Sequence, residues 1–182
     1  MTDRMPPIPA ERLTPGQKAV SDELVSGPRG ALAGPFVPLL RSPGLMARVQ
    51  KVGEYLRFES ALPDRIKELA ILVTARCWSQ GYEWMFHLPL ALKAGVTRET
   101  ARAIAEGRRP DALTGEEAAA YDFLMELEAG RQVGDGAYAR ALEAFGEAGV
   151  VDLTGFAGYY SLLAMVMNVA RTPSGQAEIP LT

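Results

Sequence analysis

One cysteine, Cys77, and one histidine, His87, are all that the 182 residues hold of the side chains most used for thiol redox chemistry and zinc binding. A single cysteine excludes an intramolecular disulfide framework and a zinc site built on cysteines, and it suits the reducing cytosol. Blocks of like charge are missing too. A net charge of -3 with no Lys/Arg-rich run leaves no electrostatic footprint for nucleic acid or an anionic membrane. The N-terminal stretch MTDRMPPIPAERLT lacks the apolar core of a signal peptide. The most hydrophobic run, Phe156 to Ala170, is short for a bilayer span and follows Asp152. These absences predict a cytoplasmic protein with neither nucleic acid nor membrane as partner.

Several motifs are also lacking. The glycine- and proline-rich stretch GPRGALAGPF, residues 27–36, has neither the Lys-Ser/Thr ending nor the preceding strand of a phosphate-binding loop. No HExxH run or second histidine supports a metal site, and nothing resembles a nucleophile elbow. Neither a β-hairpin nor a solenoid repeat is evident.

What is present reads as one all-α domain. A hydrophobic fraction of 48% against 23% charged is ordinary for a globular core. Residues 1–13, with three prolines, predict an extended N-terminal arm; 14–171 form a single helical domain; 172–182 are turn-rich and read as a tail. Thr14-Pro15-Gly16-Gln17 and Thr114-Gly115-Glu116-Glu117 carry capping-box signatures for two helices. The periodicity predicts further helices over 45–60, 65–79, 82–94, 99–107, 136–145 and 151–170. Pro89 predicts a kink just after His87. Helices apolar on more than one face predict a homo-oligomer, with Tyr159, Tyr160, Met165 and Met167 placed in an interface or equally in the core.

The stretch QGYEWMFHLPLALKAG, residues 80–95, concentrates the chemistry. Between Tyr82 and Leu92 only Glu83 and His87 can ionise, and they stand four positions apart, on one helical face. A helix apolar almost all round is normally buried, and a buried charge needs a partner. Gln80, Glu83 and His87, spaced three and then four, predict one polar line along that face. A carboxylate beside an imidazole favours the protonated ring and burial the neutral one, a balance suited to proton transfer. The plainer alternative is a structural hydrogen bond in a core. Glu68 falls inside an apolar stripe of the preceding helix, or else is a solvated carboxylate near its start. Cys77 falls on the other apolar stripe, which predicts a buried, inert thiol. Arg65, Arg76 and Arg171 are cations able to grip a substrate carboxylate, though surface roles are the commoner fate.

The run RIKELAILVTARCWSQGYEWMFHLPLALKAGVTRETARAI, Arg65 to Ile104, resembles the carboxymuconolactone decarboxylase superfamily, which includes the alkylhydroperoxidase D-like proteins. The resemblance rests on an early Glu in ELAIL, then YEWxxH, then an AxxAG helix end. It implies an alkylhydroperoxidase D-like helical bundle assembled into trimers or hexamers, with a dimer as the smaller alternative, and sites near subunit interfaces. The peroxidase branch carries a glutamate, a CxxC pair and a histidine. Its register places Gln80 and Glu83 at the two cysteine positions, so the dithiol is absent, and disulfide chemistry needs a second thiol. The decarboxylase branch lacks those cysteines, as this chain does. It removes carbon dioxide from an unsaturated lactone acid in aromatic catabolism and protonates the enolate.

The resemblance thus implies a lyase or related proton-transfer enzyme acting on a small carboxylated molecule, with no cofactor and no metal. His87 would be the proton donor, Glu83 would orient it and Glu68 would relay or tune its proton, with Gln80, Tyr82 and Trp84 binding substrate. The alternatives are a non-catalytic oligomeric binding or scaffold protein, and a peroxidase or antioxidant-type protein of the same superfamily.

Overall fold

The computed structural model describes residues 2–182, and among them eight α-helices and no strand. They are α1 (Pro15–Ser26), α2 (Phe36–Leu39), α3 (Pro43–Glu54), α4 (Asp64–Cys77), α5 (Gly81–Ala94), α6 (Arg98–Ala105), α7 (Gly115–Gly130) and α8 (Asp135–Ala170). The helix starts follow local chemistry. Thr14 and Gln17 close the capping box of α1, and Thr114 and Glu117 that of α7, each satisfying backbone N–H groups that the first turn leaves unpaired.

Helix α4 is the axis of the molecule. Ile66, Leu69 and Leu72 are wholly buried, as are Ala70, Ile71 and Val73 on its other sides. It packs between α5, α7 and α8, so its two apolar stripes are both consumed within one protomer. Each fully buried Leu or Ile contributes about 1.5–3 kcal/mol, so packing fixes where this helix lies. Tyr159, Tyr160 and Met167 likewise belong to the core, while Met165 is exposed.

Two elements depart from the expected simple helices. The segment after α3 widens into one π-helical turn, Tyr55–Glu59, closed by Ser60 N–H donating to Tyr55 O, five residues back, at 2.9 Å. Asp152 of α8 holds both ends of it, accepting from Ser60 Oγ at 2.6 Å and from Tyr55 Oη at 3.1 Å. Helix α8 spans both expected C-terminal helices but is broken by Gly146, at φ 67° and ψ 178°. By length and composition α8 is the one helix among the described residues apolar enough to cross a membrane. Its apolar side chains instead supply much of the core, among them Leu153, Phe156 and Leu163.

The turn between α4 and α5 sets up the site. Ser79 takes a left-handed conformation (φ 48°) and Gln80 N–H donates to Ala75 O at 2.8 Å, reversing the chain within three residues. The two helices then run back along each other, which brings the middle of α4 against the middle of α5. Pro89 is accommodated inside α5, which continues to Ala94 and ends at Gly95 with φ 103°. The last residues fold back over α5, where Ile179 O accepts from the Trp84 indole N–H.

Candidate acid/base site

His87 of α5 sits between two carboxylates. Its Nδ1 is 2.8 Å from Glu68 Oε2 of α4, and its Nε2 is 3.5 Å from Glu83 Oε2, one turn back on α5. The imidazole and Glu83 are 2% and 3% exposed, so both contacts lie away from bulk water. The Tyr160 ring stands edge-on to the imidazole at 5.3 Å and the Phe86 ring at 5.1 Å, fixing its plane.

The two carboxylates are not equivalent. Glu68 makes a short, well-formed hydrogen bond, and as a carboxylate it accepts from Nδ1–H, leaving Nε2 as the working nitrogen. Glu83 has no such bond. Its Oε1 is buried without a partner, and its Oε2 has only the long approach to Nε2. Burial pushes its carboxyl above the ordinary 4.5, against the opposing pull of His87, Arg57 and Arg29. A carboxyl held toward its neutral form by desolvation is suited to donate a proton. The expected roles are therefore redistributed: Glu68 orients the ring, and Glu83 carries the unmet valence. Because they address opposite nitrogens, Glu68, Glu83 and His87 do not converge on one point as metal ligands would.

His87 and Glu83 line a cavity of about 240 Å³, walled by Pro28, Arg29, Phe36, Arg57, Phe58, Tyr82, Phe86, Tyr160 and Leu163 among others. That volume lies just below the roughly 300–1,000 Å³ of drug-sized ligand sites, which limits the occupant to a small molecule. Burial keeps the Tyr160 phenol well above its ordinary 10, so it stays a neutral hydroxyl on the cavity wall. Glu68 lines a second cavity of about 340 Å³, with Arg57, Lys67 and Lys93. His87 thus separates a carboxylate on one cavity from a carboxylate on the other.

Of the other expected site residues, Tyr82 lines the first cavity. Gln80 and Trp84 do not. Gln80 precedes the first turn of α5 with extended backbone, so the three-then-four spacing does not bring it onto the face of Glu83 and His87. Its side chain caps the helix by accepting from Tyr82 N–H and donates to Asn168 Oδ1, both at 2.8 Å. Trp84 is 1% exposed and turned toward the C-terminal residues.

The three arginines singled out in the sequence lie elsewhere. Arg65 approaches Glu117, Arg76 donates to Ala105 O, and Arg171 is the left-handed cap of α8. The cations on the cavity are Arg29 and Arg57, one in the Gly/Pro-rich loop and one in the π turn. Neither position carried a local sequence signal. Cys77 is exposed at the end of α4 rather than buried, and it lines a different cavity, beside Tyr121 and Met125. Even so, the surrounding protein pushes its thiol up to about 11, chiefly by partial burial and then by the Glu128 charge.

Residues 43–126 match the model of the carboxymuconolactone decarboxylase family. That match takes in a little under half of the chain and supports the carboxymuconolactone decarboxylase superfamily. The family segment contains Glu68, Glu83, His87, Tyr82 and Arg57, whereas Arg29 and all of α8 lie outside it. Among solved structures, the fold is similar to that of an Agrobacterium tumefaciens protein of unknown function, suggested to be the antioxidant defence protein AhpD. The TM-score is 0.68 at 16% identity, over 76% of this chain and 95% of that one. The likeness establishes an AhpD-like all-α fold. A search of the curated proteins finds no match.

Proposed function

We propose that the protein is a proton-transfer enzyme of the decarboxylase kind, a carbon–carbon lyase acting on a small carboxylated substrate such as an unsaturated lactone acid. The reading is carried by one observation: a buried imidazole held by Glu68 on one nitrogen, with the unsatisfied carboxyl of Glu83 on the other, at the wall of a small cavity. In the reaction the bond to the substrate carboxylate breaks, carbon dioxide leaves, and its electron pair enters the conjugated enolate. The enolate carbon then takes a proton from the Glu83–His87 couple. Solvent returns that proton through Glu68, which lines the other cavity. Arg29 and Arg57 favour an anion at this wall, and the aromatic rings of Phe58, Phe86 and Tyr82 give it an apolar lining.

An antioxidant role, as suggested for the Agrobacterium neighbour, is the second reading, taken as peroxide reduction. Here it would rest on Cys77 and an external thiol, since the chain has no other cysteine. A thiol raised to about 11 is largely un-ionised at neutral pH and a weak nucleophile. A panel of lactone and oxo acids, assayed for carbon dioxide release beside a peroxide-consumption assay, separates the two. We expect carbon dioxide release that is unchanged in Cys77→Ser. Peroxide consumption lost in Cys77→Ser, without carbon dioxide release from any acid, would reverse the assignment.

A further inference from the structure

The acid/base couple leaves two arginines on the cavity unexplained. Arg29 and Arg57 form no ion pair among the described residues, although the chain has carboxylates enough to neutralise them. Arg29 stacks over Phe36 at 4.7 Å and donates from Nη2 to Tyr159 Oη at 3.2 Å, while its Nε–H is buried without an acceptor. Arg57 makes no hydrogen bond or ion pair among the described residues and lies over the Phe58 ring at 5.4 Å and the Phe86 ring at 6.0 Å, between the two cavities. Guanidiniums left with unmet donors beside a cavity call for an acceptor that the chain itself does not provide. The only carboxylate on that cavity is Glu83, whose burial opposes its ionisation.

Both arginines are positioned from the same helix, one at its guanidinium and one through its backbone turn. Tyr159 of α8 accepts from Arg29, and Asp152 of α8 ties down both ends of the π turn that carries Arg57. Residues 152 and 159 are about two helical turns apart and so share a face. Gly53 completes the arrangement, because a methyl group there would overlap the Tyr159 hydroxyl and the Arg29 guanidinium. Burial pushes Tyr159 up to about 12, so it stays a hydroxyl able to accept from Arg29. A single π turn, which here closes the C-terminal end of α3, is a device often found at functional sites.

We propose that Arg29 and Arg57 form a carboxylate clamp, set in place from α8 by Tyr159 and Asp152, that holds the anionic end of a small aromatic or planar acid beside Glu83 and His87. This deepens the proposed function and rests on its reading of the same cavity. The clamp assigns specificity largely to residues outside the family segment: Arg29 in the loop before α2, and its two holders on α8. Phe58, Phe86 and Tyr82 supply the flat apolar walls for the body of the ligand. Arg29 and Arg57 touch the ligand; Tyr159 and Asp152 are positioning residues.

The test is a titration of the full-length protein with benzoate and with its neutral isostere benzamide, followed by ligand-observed NMR. Benzoate should bind at least about tenfold more tightly than benzamide. Arg29→Gln and Arg57→Gln should each collapse that ratio, by weakening benzoate alone. Arg29→Lys, which keeps the charge but not the fork, should fall between. Tyr159→Phe and Asp152→Asn should lower the ratio about threefold, a readout that a general loss of packing would not move selectively. A ratio near one in the wild type, or a ratio unchanged in both Gln variants, overturns the clamp. Carbon dioxide release absent for every acid, with the ratio intact, would overturn the proposed function and leave the clamp standing.

Discussion

The α4–α5 hairpin and the segments that flank it build one cavity by different means. In the hairpin, Glu68, Glu83 and His87 are brought together by helix geometry alone: one turn along α5 and one antiparallel contact with α4. In the flanks, Arg29 depends on the Phe36 ring of its own loop region and on a contact distant in sequence, with Tyr159 some 130 positions on. The acid/base group therefore belongs to the family segment, while much of the wall facing it comes from parts of the chain that segment does not cover. Chemistry can be retained in such an arrangement while recognition is changed through the loop and α8.

Substitutions can sharpen that division, beginning with the largest effect. Trp84→Ala removes a fully buried ring and its hydrogen bond to Ile179, and should cost about 3–5 kcal/mol in chemical denaturation. Whatever remains folded should keep its KM, because Trp84 belongs to the scaffold of the hairpin. Gly53→Ala should destabilise by about 1–3 kcal/mol through overpacking against Tyr159 and Arg29. Unlike Trp84→Ala, it should raise KM for a carboxylated substrate.

Gln80→Ala should cost about 1 kcal/mol, the usual worth of a helix cap, with kcat and KM unchanged. A KM change in Gln80→Ala would return that residue to the site.

Glu83 gives a pH signature with a definite sign. Its carboxyl titrates higher in the folded protein than the ordinary 4.5, so the folded state holds the extra proton. The stability linked to it is full below 4.5 and is lost as pH rises from 4.5 through the raised folded value. Glu83→Gln should remove this slope. Its melting temperature should gain on wild type as pH rises, by roughly 2–4 °C for each kcal/mol of relieved cost. Parallel melting curves across that range would show that Glu83 is not held toward its neutral form.

How much was legible in the sequence follows the same division. The four-residue spacing of Glu83 and His87 placed them together because a helix fixes that relation locally. Glu68 was legible as a polar residue in an apolar stripe and through the family register. Gln80 misled because periodicity cannot say on which turn a helix begins, and the residue before that turn caps it instead of joining its face. Cys77 misled similarly: its stripe is buried along most of α4 but runs out at the exposed helix end. Arg29, Arg57 and Tyr160 were out of reach, since a glycine-rich loop, a π turn and a long-range helix contact carry no local period. The protomer itself covers the apolar faces of α4, whereas Val151, Met165 and Val169 of α8 stay exposed.

The central claim is that the Glu83–His87 couple moves the proton. It is tested most directly by the rate of carbon dioxide release from an active lactone or oxo acid, compared between wild type and His87→Ala of matched circular dichroism. The account predicts a fall of about 10²–10⁴-fold, the usual contribution of a placed acid/base group, with benzoate still bound. Equal turnover in the two folded proteins would contradict it.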